Sequence, residues 1–384
     1  MAIRVNPKLV NELERYGAKD VMKCYHCGTC SAVCVHIGEP FMFPRHPGRN
    51  LQMGLESKLR NSLEPWLCYY CATCSEQCPR KAEPSETMMS LRRWLISRYD
   101  FTGFSRLLYQ SWKAELAVIL ILAFLTGAGF LLWGFSHGDI RSFDGPNAFL
   151  SSSYVHIFDW AMAGVLTFFL TVNSLRMWWF TLGGRKDISV PWLAYAKGVY
   201  MLPLHFFTQM RYAKCERKSP WVIHLILMFS YITMFVLIMF FLHAVQSGPA
   251  INWNAHVFGY PAALGLIGTC IYMVRGRLKK NQPWHVHSHV SDWMFLILLL
   301  YVAVTGVVLH VLHRSGLGFA ANITYVVHMA GVVPMLLVEV PFSKWSHMMY
   351  RPLAMFFADL VAMDLRKKAR KPSALSSPQL APIR

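Results

Sequence analysis

Eight of the ten cysteines in this chain fall into two runs that share one spacing, C-x2-C-x2-C-x3-C. Cys24, Cys27, Cys30 and Cys34 make the first run; Cys68, Cys71, Cys74 and Cys78 make the second, with Pro79 directly after it. Three thiolates from so short a loop reach three irons of one cubane, and the fourth reaches away to another cluster. Cys24, Cys27, Cys30 and Cys78 are therefore expected to hold one [4Fe-4S] cluster, and Cys68, Cys71, Cys74 and Cys34 the other. A disulfide framework competes because the number is even, but cysteines spaced so closely and so repeatedly suit a metal better than bridges. Paired zinc sites compete as well, since C-x2-C also serves zinc. They leave the third and fourth cysteine of each run without a purpose. Cys215 and Cys270 lie outside the runs and read as inert thiols.

The rest of the chain says where such a site sits. Hydrophobic residues make up 54% of it and charged residues only 15%, a balance unusual for a soluble domain. A net charge of +18 invites a nucleic-acid partner. The basic residues, however, gather in short segments between apolar runs, as membrane topology requires. Six segments are long enough to cross a bilayer of about 30 Å: 114–135, 155–181, 221–245, 255–274, 291–312 and 322–343. One set of connections carries Arg185, Lys186, Arg211, Lys214, Arg277 and Lys280, among others, whereas the other set carries only Arg141 and Arg314. Positive charges inside place both termini, the basic loops and the cysteine runs in the cytoplasm. No apolar core segment opens the chain, so no cleavable signal is expected, and the thiols stay in a reducing compartment.

The expected fold is all-α, in three parts. Residues 1–110 form a cytoplasmic helical domain with two [4Fe-4S] clusters, 111–365 a six-helix transmembrane domain, and 366–384 a disordered basic tail. Helices are expected over 7–16, 51–63 and 85–98, the last with Arg92, Arg93 and Arg98 on an exposed face. The stretch 189–213 mixes Pro191, Trp192, Tyr195, Phe206 and Phe207 with lysines, so it should lie along the cytoplasmic interface. A seventh, half-inserted helix there is left open.

Ionisable residues inside a membrane mark function. The third crossing carries His224 and His243, and the sixth His328 with His347 just beyond it. Each pair is nineteen residues apart, about 28 Å of helix. On antiparallel helices, His224 meets His347 at the cytoplasmic level, and His243 meets His328 at the outer level. Two facing histidines at one level suit a bis-imidazole b haem, and two levels imply two haems. Nineteen residues also rotate a side chain by about 100°, which Pro334 and Pro341 can absorb in the sixth crossing. His243 competes with His310 and His156 for the outer site. Arg176 could meet a haem propionate or snorkel to the surface, and Glu339 could relay a proton or form a structural hydrogen bond. His285, His287 and His289 could bind a metal but suit an interfacial role better; His26, His36 and His46 in the cluster domain could tune potential through hydrogen bonds but suit a plain surface role better.

His328 with Pro341-Phe342-Ser343-Lys344-Trp345-Ser346-His347 resembles the last helix of the nitrate reductase gamma family, whose two histidines ligate two b haems. That family's second ligand on the partner helix falls about where Met234 stands here. The cluster domain resembles the two-cluster iron-sulfur component of heterodisulfide reductase. Fusion of the two resembles the membrane component of the quinone-interacting membrane-bound oxidoreductase (Qmo) family, over residues from about 20 to 360. That resemblance implies one component of a quinone-dependent oxidoreductase complex in the cytoplasmic (inner) membrane. It would link menaquinone, through haem b and iron-sulfur clusters, to flavin and iron-sulfur proteins similar to the flavoprotein of heterodisulfide reductase, the soluble Qmo components. Through them it would serve adenylylsulfate reductase in sulfate respiration.

Within the chain there is no nucleophile constellation, nucleotide loop or Cys-Cys-Gly motif. It therefore reads as a wire with a quinone site, not as the place where the final substrate is reduced. Alternatives are the membrane component of a related respiratory complex, or a redox anchor without its own quinone site. A transporter would line a path with charges through several helices. Quinol oxidation is expected near the outer haem, where His156, Asp159 and His310 can take protons; Lys197, His205 and Glu339 mark an inner alternative. The cluster assignment is open to a direct test. In a Cys34→Ala variant, electron paramagnetic resonance should show damage to the cluster built on Cys68, Cys71 and Cys74; damage confined to the cluster of Cys24, Cys27 and Cys30 contradicts the exchange of ligands.

Overall fold

The computed structural model describes residues 4–137, 140, 152–246 and 253–370. Among these the regular elements are helices, with a single isolated bridge between Gly38 and Phe41. Six helices are long and apolar enough to cross a membrane: Trp112–Ser136, Ser153–Gly183, Ser219–Leu242, Trp253–Lys279, Val290–Arg314 and Gly318–Phe342. They match the six apolar segments within a few residues. The first span leaves Leu120, Phe124, Leu125, Leu132 and Phe135 exposed, as a face turned to acyl chains requires. Small residues bring the spans together. A Cβ on Gly265 would lie 2.1 Å from Ser230 Oγ, and one on Gly331 2.3 Å from the Tyr301 ring, so the third and fourth spans, and the fifth and sixth, meet at glycines.

The sixth span does not continue as one rod. After Pro334 the backbone widens to a π turn over Met335–Glu339, runs through Val340–Phe342, and breaks at Ser343 (φ −124°, ψ −145°). Pro341 has no amide hydrogen to continue the ladder. A 3₁₀ turn, Lys344–Ser346, then restarts the chain as the helix His347–Arg370. His347 thus stands at a helix start, in an orientation set by the break and not by the rotation of a continuous helix. In the third span, Phe241 departs from helical geometry (φ −123°, ψ 21°) two residues before His243.

The cluster domain and the membrane domain share one core. Leu9, Leu13, Leu51, Leu59, Trp66 and Trp94 pack with Met177, Leu182, Tyr350 and Phe357. The helix Pro84–Tyr99 runs through the middle of this contact, and 13 of its 16 residues are buried. Arg92 and Arg93 are among them, at 6% and 2% exposure, which corrects the expectation of a solvated basic face. Their charges have partners. Arg92 Nε donates to Pro65 O at 2.6 Å; Arg93 donates to Tyr16 O (2.7 Å), Glu86 Oε1 (2.8 Å) and Asp292 Oδ2 (3.1 Å). Lys344 Nζ closes on Asp292 Oδ1 at 2.6 Å. Buried Arg93, Glu86 and Asp292, with the half-buried Lys344, form a neutral group drawn from both domains.

Arg176 Nε donates to Tyr99 O at 2.8 Å. A cation thereby meets the negative end of the Pro84–Tyr99 helix, a role that neither expectation for Arg176 included. Segment 189–213 forms two short helices, Trp192–Gly198 and Met201–Thr208, pinned to the last helix by His205–Asp359 (3.0 Å) and Arg211–Asp359 (2.7 Å). The last helix extends to Arg370, past the expected start of the tail; residues 371–384 lie outside the described residues.

The docking of the two domains can be tested at two places. Asp292→Ala breaks the buried pair with Arg93 and leaves that guanidinium with Glu86 alone, and should lower stability by about 3–5 kcal/mol, read as an early thermal transition of the detergent-solubilised chain. A transition unchanged from the parent's would show that the buried charges do not hold the domains together. The second place is the pair His287 Nε2 and Glu83 Oε2, 3.2 Å apart across the domain boundary. Glu83 raises His287 above the usual imidazole range through their hydrogen bond, and His287 lowers Glu83. The imidazole contribution is full below its ordinary value and lost as pH rises through its raised one. The carboxylate contribution is full above its ordinary value and lost as pH falls through its lowered one. His287→Ala should therefore flatten the loss of thermal stability between mildly acidic and alkaline pH; an unaltered pH profile contradicts it.

Candidate electron-transfer site

The two cysteine runs fold as copies of one loop. His26 and Gly28 in the first, and Tyr70 and Ala72 in the second, have positive φ (64°, 89°, 57° and 65°). A short helix follows each, Thr29–Ala32 and Thr73–Glu76. Left-handed backbone is costly outside glycine, so Ala72 at this place shows how firmly the loop shape is imposed. Each loop turns donors onto its sulfurs. His26 N donates to Cys24 Sγ (3.5 Å) and Tyr70 N to Cys68 Sγ (3.4 Å); Thr73 Oγ1 donates to Cys71 Sγ (3.7 Å), and Thr29 Oγ1 lies 3.3 Å from Cys27 Sγ. All ten cysteines are free thiols, and the disulfide alternative falls. Among the described residues, no three His, Cys, Asp or Glu side chains close on a point that could hold a single metal ion. The thiols instead stand around a space, as a larger group demands.

That space is clearest in the second run. Cys34, Cys68, Cys71 and Cys74 line one cavity, together with Phe43, Tyr69 and Ser85. The fourth cysteine of the first run therefore lies with the first three of the second. Burial pushes the Cys34 thiol up to about 11, a cost that iron, which binds thiolate, would offset. The chemistry of the donor set fits a cubane.

Identical loops sit in opposite surroundings. Tyr25, after the first cysteine of run one, is 57% exposed, and Cys27 is exposed. Tyr69, its counterpart in run two, is 5% exposed, and Cys74 is buried. What covers the second loop is the membrane domain. Tyr69 stacks on Tyr212 with centroids 4.9 Å apart, and its hydroxyl donates to Met355 Sδ at 3.5 Å. Arg351 lies over the Tyr69 ring at 3.7 Å and donates to Cys68 O at 2.8 Å. Arg92 donates to the same carbonyl.

Arg351 is one helical turn beyond His347, and through it the last helix joins the second loop to the histidines. His224 and His347 face each other with ring centroids 6.3 Å apart. His347 Nδ1–H donates to Lys344 O at 2.5 Å, leaving Nε2 free. His224 Nδ1 is buried without a hydrogen-bond partner. Tyr212 stands 6.2 Å from the His224 ring.

The outer histidines are arranged differently. His328 Nδ1 lies 2.9 Å from Thr305 Oγ1, and its ring packs on Gly306 of the fifth span. His310 Nε2 bonds the Tyr260 hydroxyl at 2.9 Å, and its ring is 5.0 Å from that of His256. Among the described residues, no ring contact brings His328 to another histidine; the side chain of His243 lies outside them. His256, at 4% exposure, belongs to this outer group, although no motif in the sequence marks it. His287 pairs with Glu83, and His289 caps the fifth span by accepting from Ser291 N. His46 bonds Glu64 at 2.9 Å. Glu339 is fully buried with neither carboxyl oxygen bonded, beside Glu115, to which Ser343 donates at 3.1 Å.

Residues 20–82 match the family of 4Fe-4S dicluster domains. Neither a curated protein nor a solved structure matches the chain. The chain is a membrane-associated iron-sulfur electron-transfer protein: an N-terminal dicluster domain with two [4Fe-4S] clusters, followed by six candidate transmembrane helices.

Proposed function

We propose that this chain carries electrons between the quinone pool and a cytoplasmic redox protein, through two b haems in the membrane domain and then the two clusters in order, second before first. The observation that carries the reading is the unbroken contact from the facing histidines to the second loop: His347 and His224, then Tyr212, then Tyr69, with Arg351 alongside.

The inner site suits a bis-histidine haem. His224 and His347 would hold it, their rings facing each other across 6.3 Å. The Lys344 carbonyl fixes the ring of His347, as outer partners of metal-bound histidines do. A haem bound there supplies one-electron chemistry. The residues do the rest: His224, which would hold it with His347, packs near Tyr212, and Arg351 ties the helix of His347 to the backbone of Cys68. Electrons then reach the site of Cys68, Cys71, Cys74 and Cys34, pass to that of Cys24, Cys27, Cys30 and Cys78, and leave where Tyr25 and Cys27 meet solvent.

His328 serves the outer haem, with His243 or His310 as its second ligand. Menaquinol is oxidised at that end, where His156, Asp159 and His310 can accept protons. The cytoplasmic partners are flavin and iron-sulfur proteins similar to the flavoprotein of heterodisulfide reductase, serving adenylylsulfate reductase. The basic loops set the clusters and both termini in the cytoplasm.

Substituting His347 by Ala should remove the inner haem and spare the outer one, read as loss of one of two b-type signals in a redox-difference spectrum. A quinol-analogue inhibitor should then still shift the surviving signal. Loss of both haems from a folded chain, or of neither, contradicts the pairing. An inhibitor that perturbs only the haem lost in the variant places quinol on the inner side.

A further inference from the structure

Cys215 lies far from both cysteine runs, in the loop between the second and third spans. Its sequence position makes it look inert. The fold carries it into the cavity lined by Cys34, Cys68, Cys71 and Cys74, at 1% exposure. Its Sγ lies 3.2 Å from His36 Nε2, and it shares the lining of this cavity with Cys71. His36 is itself held by the Tyr69 ring, 5.0 Å between centroids.

The difference between the two loops shows what Cys215 adds. In the exposed loop, the Thr29 hydroxyl lies 3.3 Å from Cys27 Sγ; in the buried loop, the equivalent Thr73 hydroxyl stands further from Cys71 Sγ, at 3.7 Å. Beside the second loop the extra thiol comes from Cys215 of the membrane domain, whereas the neighbour of the Cys27 sulfur in the first is Tyr25 of the loop itself. A fifth thiolate on a cubane already served by four cysteines has no iron to bind. A neutral thiol beside a coordinated sulfur has a use, since an S–H is a weak donor, and hydrogen bonds to cluster sulfurs set reduction potential.

We propose that Cys215 is a hydrogen-bond donor from the membrane domain to the second cluster: His36 Nε2–H donates to Cys215 Sγ, and the Cys215 S–H donates to the sulfur of Cys71. The bond withdraws charge from the cluster's ligand shell and favours its reduced form. Because the donor sits on a membrane-domain loop, the second cluster reaches this potential only while the two domains are docked. The proposal rests on the two-cluster domain and not on the haems.

The test is an electron paramagnetic resonance redox titration of the purified full chain, with iron counted. The second cluster is identified as the signal altered by Cys34→Ala. Cys215→Ala should keep the parent's iron content and move that cluster to lower potential, leaving the other where it was. Cys215→Ser, which keeps a hydrogen-bond donor, should titrate above the Ala variant. An Ala variant that titrates like the parent overturns the proposal, as does an Ala and a Ser variant that titrate together. Loss of one cluster's iron from Cys215→Ala also overturns it, because Cys215 would then be a ligand.

Discussion

One guanidinium joins the two halves of this protein. Arg351 donates to the carbonyl of Cys68 and lies across the ring of Tyr69, while the start of its own helix presents His347 to His224. An arginine is suited to this because its planar, permanently charged fork can bond and stack at once. The buried charges nearby keep the geometry in place. Arg93 pairs with Glu86 on its own helix and Lys344 with Asp292 in the membrane domain, and the buried Arg93–Asp292 pair crosses between them.

From this contact comes an asymmetry that the cysteine runs themselves lack. Two loops with the same spacing and the same positive-φ positions differ in what surrounds them. The second is roofed by Tyr212, Met355 and Arg351; the first leaves Tyr25 and Cys27 to solvent. A buried cluster beside the membrane domain and an exposed one beside solvent make an ordered pair of carriers. The difference between the two loops lies in their burial and not in their cysteine spacing.

Much of this was legible in the sequence, for identifiable reasons. The cysteine spacing is a local property of a short loop, and six long apolar segments announce themselves by composition, so domain order and span limits could be read directly. The reach of a single loop gives the expectation that Cys34 joins the second run, and the fold brings Cys34 into the cavity lined by Cys68, Cys71 and Cys74. What could not be read depends on contacts between distant segments. Arg92 and Arg93 look like a solvated face until a membrane domain covers them. Cys215 looks idle because nothing near it in sequence points to Cys71. The break at Ser343 is another case: nineteen residues of continuous helix would turn His328 and His347 apart, and the π turn after Pro334 with the restart at His347 removes that constraint. His256, beside His310, carried no motif to mark it.

The central claim is that one chain holds a continuous path from membrane to cytoplasmic surface, which requires haem as well as clusters. The most direct test is a redox-difference spectrum of the purified full chain, with haem, iron and acid-labile sulfide counted on the same sample. The account predicts two low-spin b haems alongside iron and sulfide for two cubanes. A folded chain with its full complement of cluster iron and no haem would contradict it.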